Sequence, residues 1–240
     1  MKLKTAFLQM LYPEGIKCNI CGRELFEETR FSLCPECIPK YKGKPCNKCG
    51  RSMSNDADFC LDCQNYSTQF DRAYAPYIYE DNAQKLVYKL KYGNEKYLAK
   101  YMAEMMYDCF ENQRNLPDMI TFVPMHKKRQ KERGYNQAEE LAREFSKIIN
   151  VECVELLKRN IHTQNLARMS APERREAVKG VFSIVESNKT LVKDKNILLI
   201  DDVLTTGATS GACSEILKKN GAKRVEILTF ATSKIKIKLY

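Results

Sequence analysis

Three groups of residues in this 240-residue chain have the types and spacing to do chemistry, and the most specific is Ile197-Leu198-Leu199-Ile200-Asp201-Asp202-Val203-Leu204-Thr205-Thr206-Gly207-Ala208-Thr209. Its apolar start reads as a buried parallel strand over 196–200. Two carboxylates follow at the carboxyl end, where open α/β sheets bind ligands, and a Thr/Gly turn then opens a helix. At that turn, unpaired backbone N–H groups and the hydroxyls of Thr205, Thr206 and Thr209 favour a phosphate. Gly207 lets the chain approach closely, and Ala208 begins the helix. Asp201 and Asp202 cannot serve a phosphate directly, but carboxylates accept hydrogen bonds from sugar hydroxyls and can hold hydrated Mg2+. They are the candidate catalytic pair. A phosphate cup beside two carboxylates suits a ribose 5-phosphate unit. The glycines do not follow GxGxxG and there is no Walker lysine, so dinucleotide and P-loop readings fit poorly.

The second group is eight of the eleven cysteines, arranged as four CxxC pairs: Cys18/Cys21, Cys34/Cys37, Cys46/Cys49 and Cys60/Cys63. Each pair offers two sulfurs to one metal from a tight turn. The string Cys-Asn-x-Cys-Gly-Arg occurs at 18–23 and again at 46–51, which marks an internal duplication. Two self-contained zinc ribbons are therefore favoured over an interleaved cross-brace. Four thiolates close each site to water, so both zincs are expected to be structural, stapling a module too small to bury a core.

The third group runs from Val123 to Ala138 and gathers five cations against one acid between 126 and 133. It follows a strand, so its charge suits a pyrophosphate or a nucleic-acid backbone. His126 and Lys127 are the candidate ligand contacts; Lys128, Arg129, Lys131 and Arg133 are the candidate nucleic-acid contacts. A polar segment with Arg159, Thr163, Gln164, Leu166 and Arg168 leads on to Arg174-Arg175 and Lys179-Gly180-Val181-Phe182. A polar loop of this length in a compact domain is usually functional or mobile.

These residues need a scaffold, and apolar periodicity supplies one. Amphipathic helices are expected over 82–91 and 95–113, the latter with Leu98, Met102, Met105, Met106 and Cys109 on one side. Strands are expected at 119–123, 152–156, 181–185, 196–200 and 223–230, with helices at 135–149 and 208–219. Strands interleaved with helices imply an α/β, Rossmann-like and mainly parallel sheet. Residues 1–66 form the expected double zinc ribbon and 67–240 the α/β domain, with 70–116 as its helical hood. The tail Lys234 to Lys238 alternates like an edge strand guarded by lysines. Cys109, Cys153 and Cys213 lack CxxC partners and should pack as small apolar residues. His162 should be an exposed loop residue, and Tyr92 and Tyr135 are candidates for stacking on bases.

The formal charge of +10 is uneven: residues 1–66 hold 10 Lys/Arg and 8 Asp/Glu, the rest 30 and 22. Two four-thiolate zinc sites would leave the first module at about −2 and the second as the basic part. Any polyanion should meet the larger domain first. No stretch approaches the roughly 20 apolar residues of a membrane helix and no cleavage site follows the N-terminal apolar residues, so a cytoplasmic protein that does not span the membrane is expected.

The stretch from Ile197 to Thr209 resembles the signature of type I phosphoribosyltransferases. With the cysteine pairs, Leu90-Lys91-Tyr92-Gly93, Arg133-Gly134-Tyr135-Asn136-Gln137 and the Thr163-Gln164 segment, nearly the whole chain resembles the ComF family of competence-associated proteins. One departure is Ala177, where the family usually has Asn in an Arg-Arg-x-Asn-Val-Lys-Gly string. The resemblance implies the type I phosphoribosyltransferase fold, phosphoribosyl pyrophosphate bound with Mg2+, and a role in natural transformation. There it would bring single-stranded DNA into the cytoplasm beside a helicase-type partner at the inner membrane. The expected function is a ligand-binding, DNA-interacting uptake factor. The alternatives are an active phosphoribosyltransferase on an unidentified acceptor, and a nucleotide sensor for a partner complex.

Overall fold

The computed structural model describes residues 17–27, 29–40, 43–53, 56–111, 116–162 and 169–233. Thr163, Gln164, Leu166, Arg168 and the lysine-guarded tail lie outside them.

The duplicated cysteine strings fold alike. In each, the first cysteine donates its N–H to the arginine carbonyl (Cys18 to Arg23, 2.8 Å; Cys46 to Arg51, 2.9 Å), and the glycine N–H returns to the first cysteine (Gly22 and Gly50, both 2.9 Å). Both glycines take positive φ, +74° and +68°, as the tight knuckle requires. The second ribbon adds a two-residue hairpin, β1 (Lys44–Pro45) with β2 (Ser52–Met53), and a short helix, α1 (Leu61–Asn65).

The larger domain opens with β3 (Arg72–Tyr74) and β4 (Tyr77–Ile78), then α2 (Asp81–Tyr92) and α3 (Leu98–Asp108). Next come β5 (Met119–Phe122), α4 (Lys127–Arg133), α5 (Gln137–Ile149) and β6 (Leu157–Arg159). The chain ends with α6 (Ala171–Ala177), β7 (Phe182–Ile184), a 3-10 segment (Glu186–Val192), β8 (Asn196–Leu204), α7 (Ala208–Lys219) and β9 (Arg224–Thr232). The main sheet has the order β3-β9-β8-β5, with β4 also on β9, and every pairing is parallel. Its central strands are largely apolar, Ile197 to Ile200 without interruption and Val225 to Ala231 broken by Glu226 and Thr229, as burial on both faces favours.

Helix α5 shows why the flanking segments are helical. Asn136 caps its first turn, Glu139 and Glu140 sit at the positive end, and Ala138, Leu141, Ala142, Phe145 and Ile149 form one buried stripe. That stripe packs on β5, β8 and α3. The methionines of α3 are core: Met102, Met105 and Met106 are fully buried. Phe110 joins the layers, meeting Tyr74 edge-on at 5.5 Å and Phe145 at 5.6 Å.

Two expected strands differ. The segment 152–156 contributes a single parallel bridge, Cys153 with Ile120, before the chain turns away. The segment 181–185 narrows to β7, which pairs antiparallel with β6 in a hairpin outside the main sheet. Phe182 and Ile184 alternate with the less buried Ser183, a one-sided pattern that suits a half-covered ribbon rather than a buried parallel strand. Among the described residues, no helix is long and apolar enough to cross a membrane.

Candidate functional site

Strand β8 runs four residues past the expected end, through both carboxylates to Leu204, because β9 supplies partners as far as Thr232. Successive side chains of a strand leave opposite faces, so the acidic pair is split. Asp202 is turned inward and 4% exposed. Its Oδ1 accepts the Val203 N–H at 2.9 Å and its Oδ2 is ion-paired with Lys91 Nζ of α2. Asp201 is half-buried, and its Oδ1 accepts the Asp202 N–H at 2.8 Å. Burial, and then the charge of Asp202, hold the Asp201 carboxyl well above the usual carboxylate range, opposed by Lys91.

Lys91 was legible only as part of the Leu90-Lys91-Tyr92-Gly93 string, with no role attached. Burial tends to lower its pKa, but Asp202 outweighs this and raises it, so the ammonium stays charged. The helix that carries it is well anchored. Leu90 is fully buried, its carbonyl accepts the Tyr135 hydroxyl, and Gly93 ends the helix so close to the Lys89 carbonyl that a Cβ there would lie at 2.8 Å.

Past Leu204, Thr205, Thr206, Gly207, Ala208 and Thr209 form a half-buried turn into α7. Gly207 stands at the N-cap with φ +75° and contributes no side-chain cap; the Ala208 N–H donates to Thr206 Oγ1 at 3.4 Å, and the following first-turn N–H groups point out of the helix start. The turn is braced from outside. Thr205 Oγ1 accepts Arg174 Nη1 at 3.0 Å, the Thr205 carbonyl accepts the Ser233 hydroxyl at 3.2 Å, and the Phe70 ring lies under Gly207. Arg174 comes from α6, whose start is fixed by a Ser170/Glu173 capping box.

The basic segment forms α4, at the same carboxyl end of the sheet. His126 caps it, its Nδ1 accepting the Lys128 N–H at 3.2 Å, and its ring meets His162 edge-on at 5.1 Å. His162 is exposed, as expected. Lys127, Lys128, Arg129 and Lys131 are exposed, whereas Arg133 is half-buried. Arg133 donates to Gln137 Oε1 at 2.6 Å and lies over the Tyr92 ring at 5.0 Å. Burial lowers the pKa of Arg133, as does Arg129, while Tyr92 and Asp202 oppose the shift. Burial and Arg129 likewise lower that of Arg159, with Asp201 among the groups opposing. The acids and these cations therefore share one electrostatic neighbourhood.

The Arg133-to-Gln137 string is largely a positioning device. Gly134 adopts φ +89° and ends α4, Tyr135 is buried, and Asn136 both caps α5 and donates to the Val123 carbonyl at 3.0 Å. Tyr135 is thus packed rather than available to stack on a base. Tyr92 is exposed, with Tyr88 beside it at 5.0 Å between ring centres.

In the ribbons, Cys18, Cys21, Cys34 and Cys37 form one cluster and Cys46, Cys49, Cys60 and Cys63 the other, each with its sulfurs within 4.8 Å of one another. The pairing is sequential. Sulfur separations of 3.7 Å, Cys21 to Cys34 and Cys49 to Cys60, match the roughly 3.8 Å edge of a tetrahedron with Zn–S bonds of about 2.3 Å. Both sets fit structural zinc. The duplicated arginines have diverged. Arg51 is buried and donates to Cys49 Sγ at 3.3 Å and Cys60 Sγ at 3.6 Å, braced by Asp62 at 2.8 Å, while Arg23 is exposed and pairs with Glu36.

A parallel sheet with an acid pair on its central strand and a Thr/Gly turn at a helix N-terminus defines a phosphoribosyltransferase-type domain. Residues 94–239 match the phosphoribosyl transferase domain model, and the chain belongs to that family. Residues 7–64 match the double zinc ribbon domain. Relatives that match along most of the chain include Competence protein F of Haemophilus influenzae, 29% identical over 89% of this chain and 95% of that protein. Another is DNA utilization protein YhgH of Escherichia coli K12, 26% identical over 88% of this chain and 87% of its own. Competence protein ComFC of Streptococcus pneumoniae is 24% identical over 88% and 97%. The ComF resemblance read from the motifs holds.

Proposed function

We infer that this chain is a DNA-uptake factor that binds phosphoribosyl pyrophosphate at the turn Thr205–Thr209 and contacts single-stranded DNA with its basic helix. The observation that carries the ligand half is the turn itself: a helix N-terminus with no side-chain cap from Gly207, threonine hydroxyls and Gly207 in the left-handed region, next to a partly buried Asp201. The phosphate sits on the turn and Asp201 takes the ribose hydroxyls. Asp202 serves through its hold on the site's inner wall. Mg2+ would arrive on the pyrophosphate, for which His126 and Lys127 are the candidate contacts. The relatives' names supply the DNA-uptake setting. The exposed cations of α4, and Tyr92 beneath Arg133, supply phosphate contacts and a stacking face.

This reading is preferred to base transfer because the hood helices turn apolar side chains inward: Leu86, Val87 and Leu90 of α2, Met102 and Met105 of α3. Such faces fill a core rather than read a nucleobase.

Single-strand binding, followed by fluorescence anisotropy across a salt series, should weaken steeply with added salt. Replacing Lys127, Lys128, Arg129, Lys131 and Arg133 by Gln should lower affinity and flatten the log–log slope by about 0.7 for each phosphate no longer neutralised. An unchanged affinity and slope would remove the DNA half of the assignment. Calorimetry with phosphoribosyl pyrophosphate and Mg2+, on wild type and on Gly207→Val, tests the other half.

A further inference from the structure

The acidic pair is usually the place to look for a divalent ion, yet the geometry here leaves little room for one. Of the four carboxylate oxygens, three are engaged among the described residues. Asp201 Oδ1 takes the Asp202 N–H, Asp202 Oδ1 takes the Val203 N–H, and Asp202 Oδ2 takes the Lys91 ammonium. A Mg2+ ion demands near-octahedral oxygen ligands at about 2.0–2.1 Å; a carboxylate oxygen that accepts one backbone N–H keeps a lone pair for a metal, but the Lys91 ammonium at Asp202 Oδ2 holds the place a cation would need.

The Lys91 contact is costly to break. The side chains are 20% and 6% exposed, so parting them would strand a carboxylate with almost no access to water. The backbone that carries Lys91 is held in place by its neighbours, Leu90 in the core with its carbonyl bonded by Tyr135 and Gly93 against Lys89. Further positive charge arrives from Arg133 and Arg159, which interact electrostatically with Asp202 and Asp201 respectively.

We propose that Lys91 is the resident counter-cation of the acidic pair, filling the place at Asp202 that a divalent ion would otherwise take. A phosphorylated ribose then binds with no metal ion held by the protein. The ligand part rests on the ribose-phosphate reading above; the metal part does not. Any Mg2+ that enters does so on a ligand's pyrophosphate. Ribose 5-phosphate, which lacks that group, separates the two routes.

The test uses the zinc-loaded full chain. In a Mn2+ titration followed by electron paramagnetic resonance of the free ion, wild type should bind no Mn2+ at the acidic pair. Lys91→Gln should gain one site, which the further change Asp202→Asn removes. Lys91→Arg, which keeps a cation, should gain none. A wild-type Mn2+ site abolished by Asp202→Asn would overturn the proposal, and this arm needs no variant of Lys91 to fold. So would a folded Lys91→Gln, verified by circular dichroism, that gains no site. In parallel, ribose 5-phosphate binding to wild type should be the same with and without Mg2+. In Lys91→Gln it should fall about tenfold or more without Mg2+, an effect of about 1.4 kcal/mol, and recover when Mg2+ is added. Wild type that ignores ribose 5-phosphate in both conditions would overturn the ribose-phosphate reading, with the Mn2+ arm still deciding Lys91.

Discussion

At the residue scale, the two adjacent aspartates do different work because a strand sends them to different faces. Asp202 is buried, its Oδ2 balanced by the Lys91 ion pair and by no hydrogen bond among the described residues, while burial and then the charge of Asp202 make ionisation of Asp201 unfavourable. The sign of its effect on stability follows. A carboxyl whose folded pKa lies above its unfolded value adds nothing unfavourable below about pH 4, where both states are protonated, and destabilises the fold as pH rises through the folded value. Asp201→Asn should therefore raise Tm at neutral pH, by about 2–4 °C for each kcal/mol relieved, while weakening ribose-phosphate binding. The gain should shrink as pH falls towards about 4. A Tm difference that stayed constant with pH would show that Asp201's charge is not the cause.

At the scale of elements, the duplicated ribbons provide an internal control. Gly22 and Gly50 occupy the same knuckle with similar positive φ, but their surroundings differ. A Cβ at Gly22 would meet nothing within 4 Å, whereas one at Gly50 would lie 2.7 Å from the Ala73 carbonyl of β3. Gly22→Ala should cost about 1–2 kcal/mol for the left-handed backbone alone. Gly50→Ala should cost about 1–3 kcal/mol more, because β3 must shift. Comparing the apparent Tm of the two variants checks this, and equal losses would mean that the second ribbon does not seat on the sheet as described. The glycines were readable as a repeat, but their different loads were not, since nothing in 18–23 or 46–51 names β3.

At the scale of the whole molecule, the ribbons join the larger domain through shared apolar packing, with Phe31, Leu33 and Met53 in one buried cluster with the sheet, and through polar contacts. The Ala73 N–H donates to the Lys48 carbonyl at 2.8 Å, Asn82 Nδ2 to the Glu36 carbonyl at 3.0 Å, and Arg30 pairs with Asp108. With two two-residue strands and one short helix among its described residues, the ribbon module depends on its metals, whereas the parallel sheet and its helices contribute most of the buried apolar residues. Stripping the chain with a chelator should release two zinc ions and lower the apparent Tm, yet leave most of the far-ultraviolet circular dichroism of α2, α3, α5 and α7. Loss of nearly all helical signal on zinc removal would show that the two parts fold as one unit.

The sequence by itself determined those features that are local or periodic: the parallel α/β plan, the four CxxC knuckles, the Thr/Gly turn on a helix N-terminus and the methionines as core. Each follows from spacing along the chain, which a few consecutive residues suffice to specify. Which knuckles share a metal was only favoured by the repeat and was decided by the structure. Tertiary structure decided what depends on partners far apart in sequence. The length of β8 was set by β9, the antiparallel β6–β7 hairpin by pairing across a loop, the burial of Tyr135 by Leu90, and the support of Thr205 by Arg174. Above all, it brought Lys91 to Asp202 across 110 intervening residues. An ion pair at that separation leaves no periodic trace, because it exists only once helix and strand have packed.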